Sequence, residues 1–150
     1  MDRKTIPFRS KQASDSTGFL LWQVTVLWQR RIAAALRPHG LTQVQFALLA
    51  SLLWLSNKES AITQAMLARH AKLDVMMTSQ VLRALEKKGF VGRHAHPSDT
   101  RAKILSLTKS GKALAWSAIP DVEKADAVFF KTLGVQRKKF NKSLLLLIEP

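Results

Sequence analysis

Four side chains stand out for the chemistry that their spacing allows. Met76, Gln80, Arg83 and Lys87 are separated by four, three and four residues, so on a helix they share one side. In the major groove of a DNA duplex, Gln pairs two hydrogen bonds with adenine and Arg pairs two with guanine. Ser79 and Lys87 suit phosphate oxygens, which position a protein without specifying a sequence. Val75, Thr78, Val81, Leu82 and Leu85 fall on the other side and are expected to face a core. Gly89 ends this helix, and Lys87 and Lys88 place cations at its negative pole. The run Phe90-Val91 then leads through His94, His96, Pro97 and Asp99 to Arg101, and a second apolar run follows from Ile104 to Leu107. A helix with a basic and amide stripe, backed by a hairpin with a charged tip, fits two neighbouring surfaces of a duplex. That is the plan of a winged helix-turn-helix.

Other chemistries find little support. His94 and His96 are spaced i, i+2 and would share a face on a strand, where two imidazoles can hold a metal. No Cys exists in the chain, and only Asp99 is close enough to add a ligand, so polar hairpin residues are the simpler reading and no metal is expected. Without Cys there is also no disulfide and no thiol switch. His39 and His70 are isolated. Acids are few and scattered, with no Gly-rich phosphate loop and no nucleophile beside a base. An enzyme is not expected, and no cofactor is implied.

The chain has 150 residues, enough for one domain with a real core, and 47% of them are hydrophobic. Its net charge is +14, from 24 basic and 10 acidic residues, with a pI near 10.9. Such an excess favours a polyanionic partner, nucleic acid ahead of an anionic membrane surface. The excess is spread along the chain, and residues 62–108 carry only +5 of it.

Residues 1–13 read as a basic arm, with Pro7 and no periodicity. The apolar run that follows is broken by Gln23, Thr25 and Gln29, which argues for a helix and against a secretory leader. That first helix spans about Asp15 to Arg37 and is apolar over more than one stripe, which implies a second neighbour such as another subunit. Trp22, Trp28 and Trp116 are expected to pack in the core or between subunits. Thr42 and Gln45 form a capping box for a helix through about Leu55, apolar almost all round and too short for a membrane. Thr63 caps a short helix to about His70, with Ala65, Leu67 and Ala68 as its inward or small contact positions, and Asp74 caps the reader helix. Thr108 caps a fifth helix, carrying Leu114, Trp116, Ile119, Val122, Val128 and Phe129, that Pro120 should kink. After Gly134 a last helix presents Phe140, Leu144, Leu147 and Ile148 on one face.

Placed in this order, several motifs carry a resemblance. They are Gly40-Leu41-Thr42 with Gln45-Phe46, Thr63-Gln64 with Leu67-Ala68, and Leu85-Glu86-Lys87-Lys88-Gly89-Phe90-Val91 with Arg93. Pro97-x-Asp99-x-Arg101 and Leu107-Thr108 with Gly111 complete the set. Over about residues 16–148 the sequence resembles the MarR family (multiple antibiotic resistance regulators) of bacterial transcription factors. The likeness implies a mainly α fold with a small β-hairpin wing (α+β), a winged helix-turn-helix over residues 41–108. Residues 14–38 and 109–150 would supply dimerisation helices, so that residues 14–150 form one domain.

Combined with the helix reading, the likeness implies DNA contacts at Thr63, Gln64, Met76, Met77, Ser79, Gln80, Arg83, Lys87, Arg101 and Lys103. Arg101 would enter the minor groove, and Asp99 would orient its guanidinium. Met76 and Met77 stand where many relatives carry polar groups, so base preference cannot be copied from them. The implied protein is a cytoplasmic homodimer that binds a near-palindromic operator in double-stranded DNA, as a repressor, without a membrane partner. A small aromatic or phenolic effector is implied where the dimer region meets the wing domain, with Trp28, Arg31, His39, Phe46 and Trp116 as candidate contacts. The alternative class is a basic module that coats nucleic acid or docks on a protein without reading sequence.

Overall fold

The computed structural model describes residues 12–149, so most of the basic arm lies outside the described residues. A 3₁₀ turn at Ala13–Asp15 precedes α1 (Thr17–Leu36), which starts two residues later than the periodicity predicts. The cap is Ser16, whose hydroxyl accepts from Phe19 N–H at 3.4 Å. A 3₁₀ turn at Arg37–His39 and a left-handed Gly40 lead to α2 (Gln43–Ser56). The predicted capping box is formed: Thr42 accepts from Gln45 N–H, and the Gln45 side chain accepts from Thr42 N–H. Leu48, Leu49 and Leu52 bury α2 at the centre, in contact with every other main helix of the domain except the last.

The reading unit follows as β1 (Ile62–Thr63), α3 (Gln64–Ala71), α4 (Val75–Lys87), β2 (Val91–Ala95) and β3 (Lys103–Leu107). The sheet is antiparallel in the order β1-β3-β2, with Ile62 opposite Leu105, Val91 opposite Leu107 and Ala95 opposite Lys103. The wing is therefore three-stranded at its base, where the sequence suggested a hairpin alone. Buried Ile62 and Leu105 explain the third strand, since pairing them seals the sheet against α2. The strand β2 also runs on past Phe90-Val91 to include Arg93 and His94.

One residue expected to face the core does not. Val75 is 57% exposed, because the first turn of α4 overhangs the core that Thr78, Leu82 and Leu85 fill. Ala65, in the first turn of α3, is likewise exposed while Leu67 and Ala68 are buried.

The fifth helix, α5 (Lys109–Phe129), continues through Pro120 as one helix. Its buried stripe is Gly111, Ala115, Ala118 and Val122, so small side chains rather than Trp116 or Val128 face inward and let α1 approach closely. A 3₁₀ segment at Phe130–Gln136, with Gly134 in a non-helical conformation, joins it to α6 (Arg137–Ile148). No residue of α6 is buried, and Leu145, Leu146, Leu147 and Ile148 join Phe19, Leu20, Leu21, Trp22 and Leu27 of α1 as exposed apolar surface. Among the described residues no helix is long and apolar enough to cross a membrane.

Gly111 is the most tightly packed of the glycines. A Cβ there would overlap the Phe90 carbonyl and lie 2.7 Å from its carbon. Gly111→Ala should therefore lower the urea midpoint. Overpacking costs about 1–3 kcal/mol, more than the ~1 kcal/mol that the better helix propensity of Ala returns. An unchanged or raised midpoint would contradict this packing.

Candidate nucleic-acid interface

Local chemistry fixes α3 and α4 as a pair. Thr63 caps α3 by accepting from Met66 N–H at 3.3 Å. At the other end Lys72 is left-handed, with φ 53°, and Leu73 N–H turns back to Ala68 O at 3.0 Å. Two residues on, Asp74 Oδ1 accepts from Met76 N–H at 2.8 Å and Met77 N–H at 3.0 Å, which starts α4. Thr78 is fully buried, and its hydroxyl donates to Asp74 O at 2.8 Å. Its polar group is thus satisfied inside the core.

This leaves Met76, Gln80, Arg83 and Lys87 on the exposed side of α4, as their spacing implies, with Met77 beside them and Ser79 half-buried. Thr63 and Gln64 are half-buried at the start of α3. Arg101 and Lys103 are exposed on the wing.

The wing tip is ordered by its own side chains. His96 Nδ1 accepts from Ser98 N–H at 3.2 Å and from Asp99 N–H at 3.1 Å. Asp99 Oδ1 accepts from Arg101 N–H at 2.9 Å. The carboxylate thus holds the backbone of Arg101, not the guanidinium as the sequence suggested. An acceptor two residues before an N–H closes an Asx turn, which competes well with a mobile side chain. His94 bonds Ser106 at 3.0 Å on the strand, while His96 belongs to the turn, so the two imidazoles do not share a face. Among the described residues no group of His, Asp and Glu is placed to hold a metal ion.

Four aspartates are committed to structure rather than to the cations of α4 and the wing. Asp74 and Asp99 accept from backbone N–H groups, Asp121 meets His39, and Asp126 accepts from Trp28. Glu86 lies 3.1 Å from Arg93 Nε, an ion pair without an aligned hydrogen bond, and ties the end of α4 to β2. Arg83, Lys87, Arg101 and Lys103 have no ion-pair partner among the described residues.

The five candidate effector residues are divided among several places. Trp28 Nε1 donates to Asp126 at 2.7 Å, half-buried between α1 and α5. His39 bridges Asp121, at 2.7 Å from Nε2, and Ser117, at 3.3 Å from Nδ1. Phe46 packs on the core. Arg31 lines an open groove of about 380 Å³ between α1 and α5, with Ala34, Ala35, Asp121, Lys124 and Ala125. Trp116 lines a different cleft, of about 420 Å³, between α2 and α5, opposite Trp54. Both of these indoles are more than half exposed. Sequence reading missed Trp54 because α2 is apolar all round; its place two residues after buried Leu52 is the signal that it faces away.

The chain has clear relatives. A family model described as the MarR family matches residues 41–103. The uncharacterised HTH-type transcriptional regulator YdcH of Bacillus subtilis is 42% identical over 134 residues, which cover 89% of this chain and 90% of that one. The HTH-type transcriptional repressor Rv2887 of Mycobacterium tuberculosis is 36% identical over 128 residues, 85% of this chain and 89% of that one. Its structure in complex with salicylic acid superposes with a TM-score of 0.65, covering 88% of this chain and 96% of that one. A mutant of MarR from E. coli, complexed with operator DNA, is 25% identical with a TM-score of 0.77, covering 89% and 93%.

Proposed function

The chain belongs to the MarR family, and from that premise we propose how its own residues carry out transcriptional repression as a DNA-binding homodimer. It is a transcriptional regulator, not an enzyme. The observation that carries the reading is the face shared by Gln80, Arg83 and Lys87, exposed and, among the described residues, left without acidic partners beside an ordered, basic wing. In this reading residues 41–108 bind DNA, and residues 14–38 with 109–150 join two copies in the cytoplasm. The exposed apolar surfaces of α1 and α6 are what the second copy covers.

Within each half-site Gln80 and Arg83 contact base edges, while Ser79, Lys87 and Lys103 hold phosphates. Thr63 and Gln64, at the start of α3, lie where that helix meets the backbone. Arg101 enters the minor groove from a wing tip whose backbone Asp99 and His96 already fix. Little ordering then remains to be done on binding. Gln80→Ala and Arg83→Ala should each cost about 1–3 kcal/mol of DNA affinity and relax preference at particular positions. Arg101→Ala should flatten any preference for a narrow A·T minor groove beside the half-site. Affinity and selection from a random duplex pool measure both effects, and three variants indistinguishable from the unaltered protein would contradict the assignment.

An aromatic acid is the effector, seated in the groove of Arg31 and Lys124, where two cations meet a floor of Ala34, Ala35 and Ala125. The salicylic acid held by the M. tuberculosis relative supports this ligand class. Asp121 lines the same groove and holds His39, which sits in the turn joining α1 to α2. A ligand carboxylate held by Arg31 and Lys124 crowds Asp121 and so disturbs its contact with His39, which favours a different setting of that turn, the differential contact that coupling to DNA requires. Titrating salicylate while following Trp fluorescence and DNA affinity should show both signals moving together, and Arg31→Ala should abolish both. A response that survives Arg31→Ala would move the effector elsewhere, with the Trp54–Trp116 cleft the next place to test.

A further inference from the structure

The first turn of α4 presents three consecutive large apolar side chains to solvent. Val75 is 57%, Met76 71% and Met77 45% exposed, while the inner face of the helix is closed by Thr78, Leu82 and Leu85. Packing does not use them, and apolar area left in water forgoes about 25 cal/mol per Å². The N–H groups of Met76 and Met77 are both taken by Asp74 Oδ1, at 2.8 and 3.0 Å. A helix N-terminus often holds a phosphate, but here a carboxylate already fills it and repels one. This end of the reader helix is therefore unsuited to the DNA backbone and suited to the floor of the groove between the strands.

We infer that Met76 and Met77, flanked by Val75, form an apolar reader for the C5-methyl groups of thymine. The inference rests on the DNA-binding reading above and names a specificity which that reading leaves open. Among the edge groups that base pairs show in the major groove, the thymine methyl is the apolar one. Met76 stands one turn before Gln80 on the same exposed stripe, about 6 Å along the axis and close to two base steps of ~3.4 Å. The thymines read by this tip lie one or two base pairs from the base that Gln80 contacts. Unbranched, polarisable Met side chains adapt to methyl groups at slightly different positions, so two of them read a short run of thymines more readily than one fixed base.

The test replaces thymine by uracil, which removes the methyl and leaves every hydrogen-bonding group in place. A recurrent duplex is first selected from a random pool by the full-length protein, and each thymine of its half-sites is then changed singly to uracil. Affinity should fall about three- to fivefold at one to three adjacent thymines per half-site, the effect of losing one buried methyl. The Met76→Ala, Met77→Ala double variant should bind the thymine and uracil duplexes alike. Both residues are exposed, so its thermal midpoint should match that of the unaltered protein. A recurrent site bound equally well with uracil at every position overturns this inference and leaves the DNA-binding reading standing. So does a uracil effect of the same size in the double variant. A pool that returns no recurrent site overturns both.

Discussion

The structure depends on one joint, where the end of the reader helix meets the start of α5. Gly89, with φ 77°, closes α4, as Gly89 N–H returns to Glu86 O and Phe90 N–H to Leu85 O, both at 2.9 Å. That turn aims two carbonyls outward, and the first turn of α5 meets them. Gly89 O accepts from the Thr108 hydroxyl at 2.6 Å and the Ser110 hydroxyl at 3.0 Å, and Phe90 O accepts from Thr108 N–H at 3.1 Å. The same Thr108 oxygen caps α5 by accepting from Gly111 N–H. Only a residue without a side chain fits at Gly111. Helix α4, the start of β2 and helix α5 thus share one small, fully bonded corner. A displacement of α5 has no slack in which to be absorbed before it reaches α4 or the wing.

A second constraint is the allocation of charge. With 24 basic residues against 10 acidic ones, each acid could have been spent neutralising a neighbour. Instead Asp74 and Asp99 bind backbone N–H groups, and Asp121 and Asp126 tie α5 to the turn after α1 and to Trp28. Carboxylates so used set geometry and leave the outward cations to a polyanion. Only Glu86, paired with Arg93, binds a cation inside the reading unit, and it does so to hold the wing against α4.

Much of this was legible in the sequence because it is local. Capping chemistry at Thr42, Thr63, Asp74 and Thr108, the stop at Gly89 and the buried stripe of Thr78, Leu82 and Leu85 follow from spacing within one turn. What escaped depends on distant partners. Strand β1 is two residues long and exists because Ile62 meets Leu105, which no local pattern announces. Val75 keeps the inward spacing of its helix yet overhangs the core, since periodicity does not say where a core ends. The contacts of the candidate effector residues are hidden from the sequence for the same reason. Nearness along the chain put Trp28, Arg31 and His39 together, but acids 98 and 82 residues away claim Trp28 and His39. The charge of Asp99 suggests that it orients the Arg101 guanidinium, while its spacing to Arg101 N–H favours a turn.

In the proposed function, two copies of this chain place two α4 helices, each fixed by its Gly89–Thr108 joint, on one face of a duplex. Chemical footprinting of a selected duplex tests that claim most directly. The expected result is a near-palindromic site with two protected half-sites centred about one helical turn, or ~34–36 Å, apart. Each half should show major-groove protection flanked by a minor-groove contact from the wing. A single protected half-site, or uniform protection that lengthens with protein concentration and ignores sequence, would contradict it.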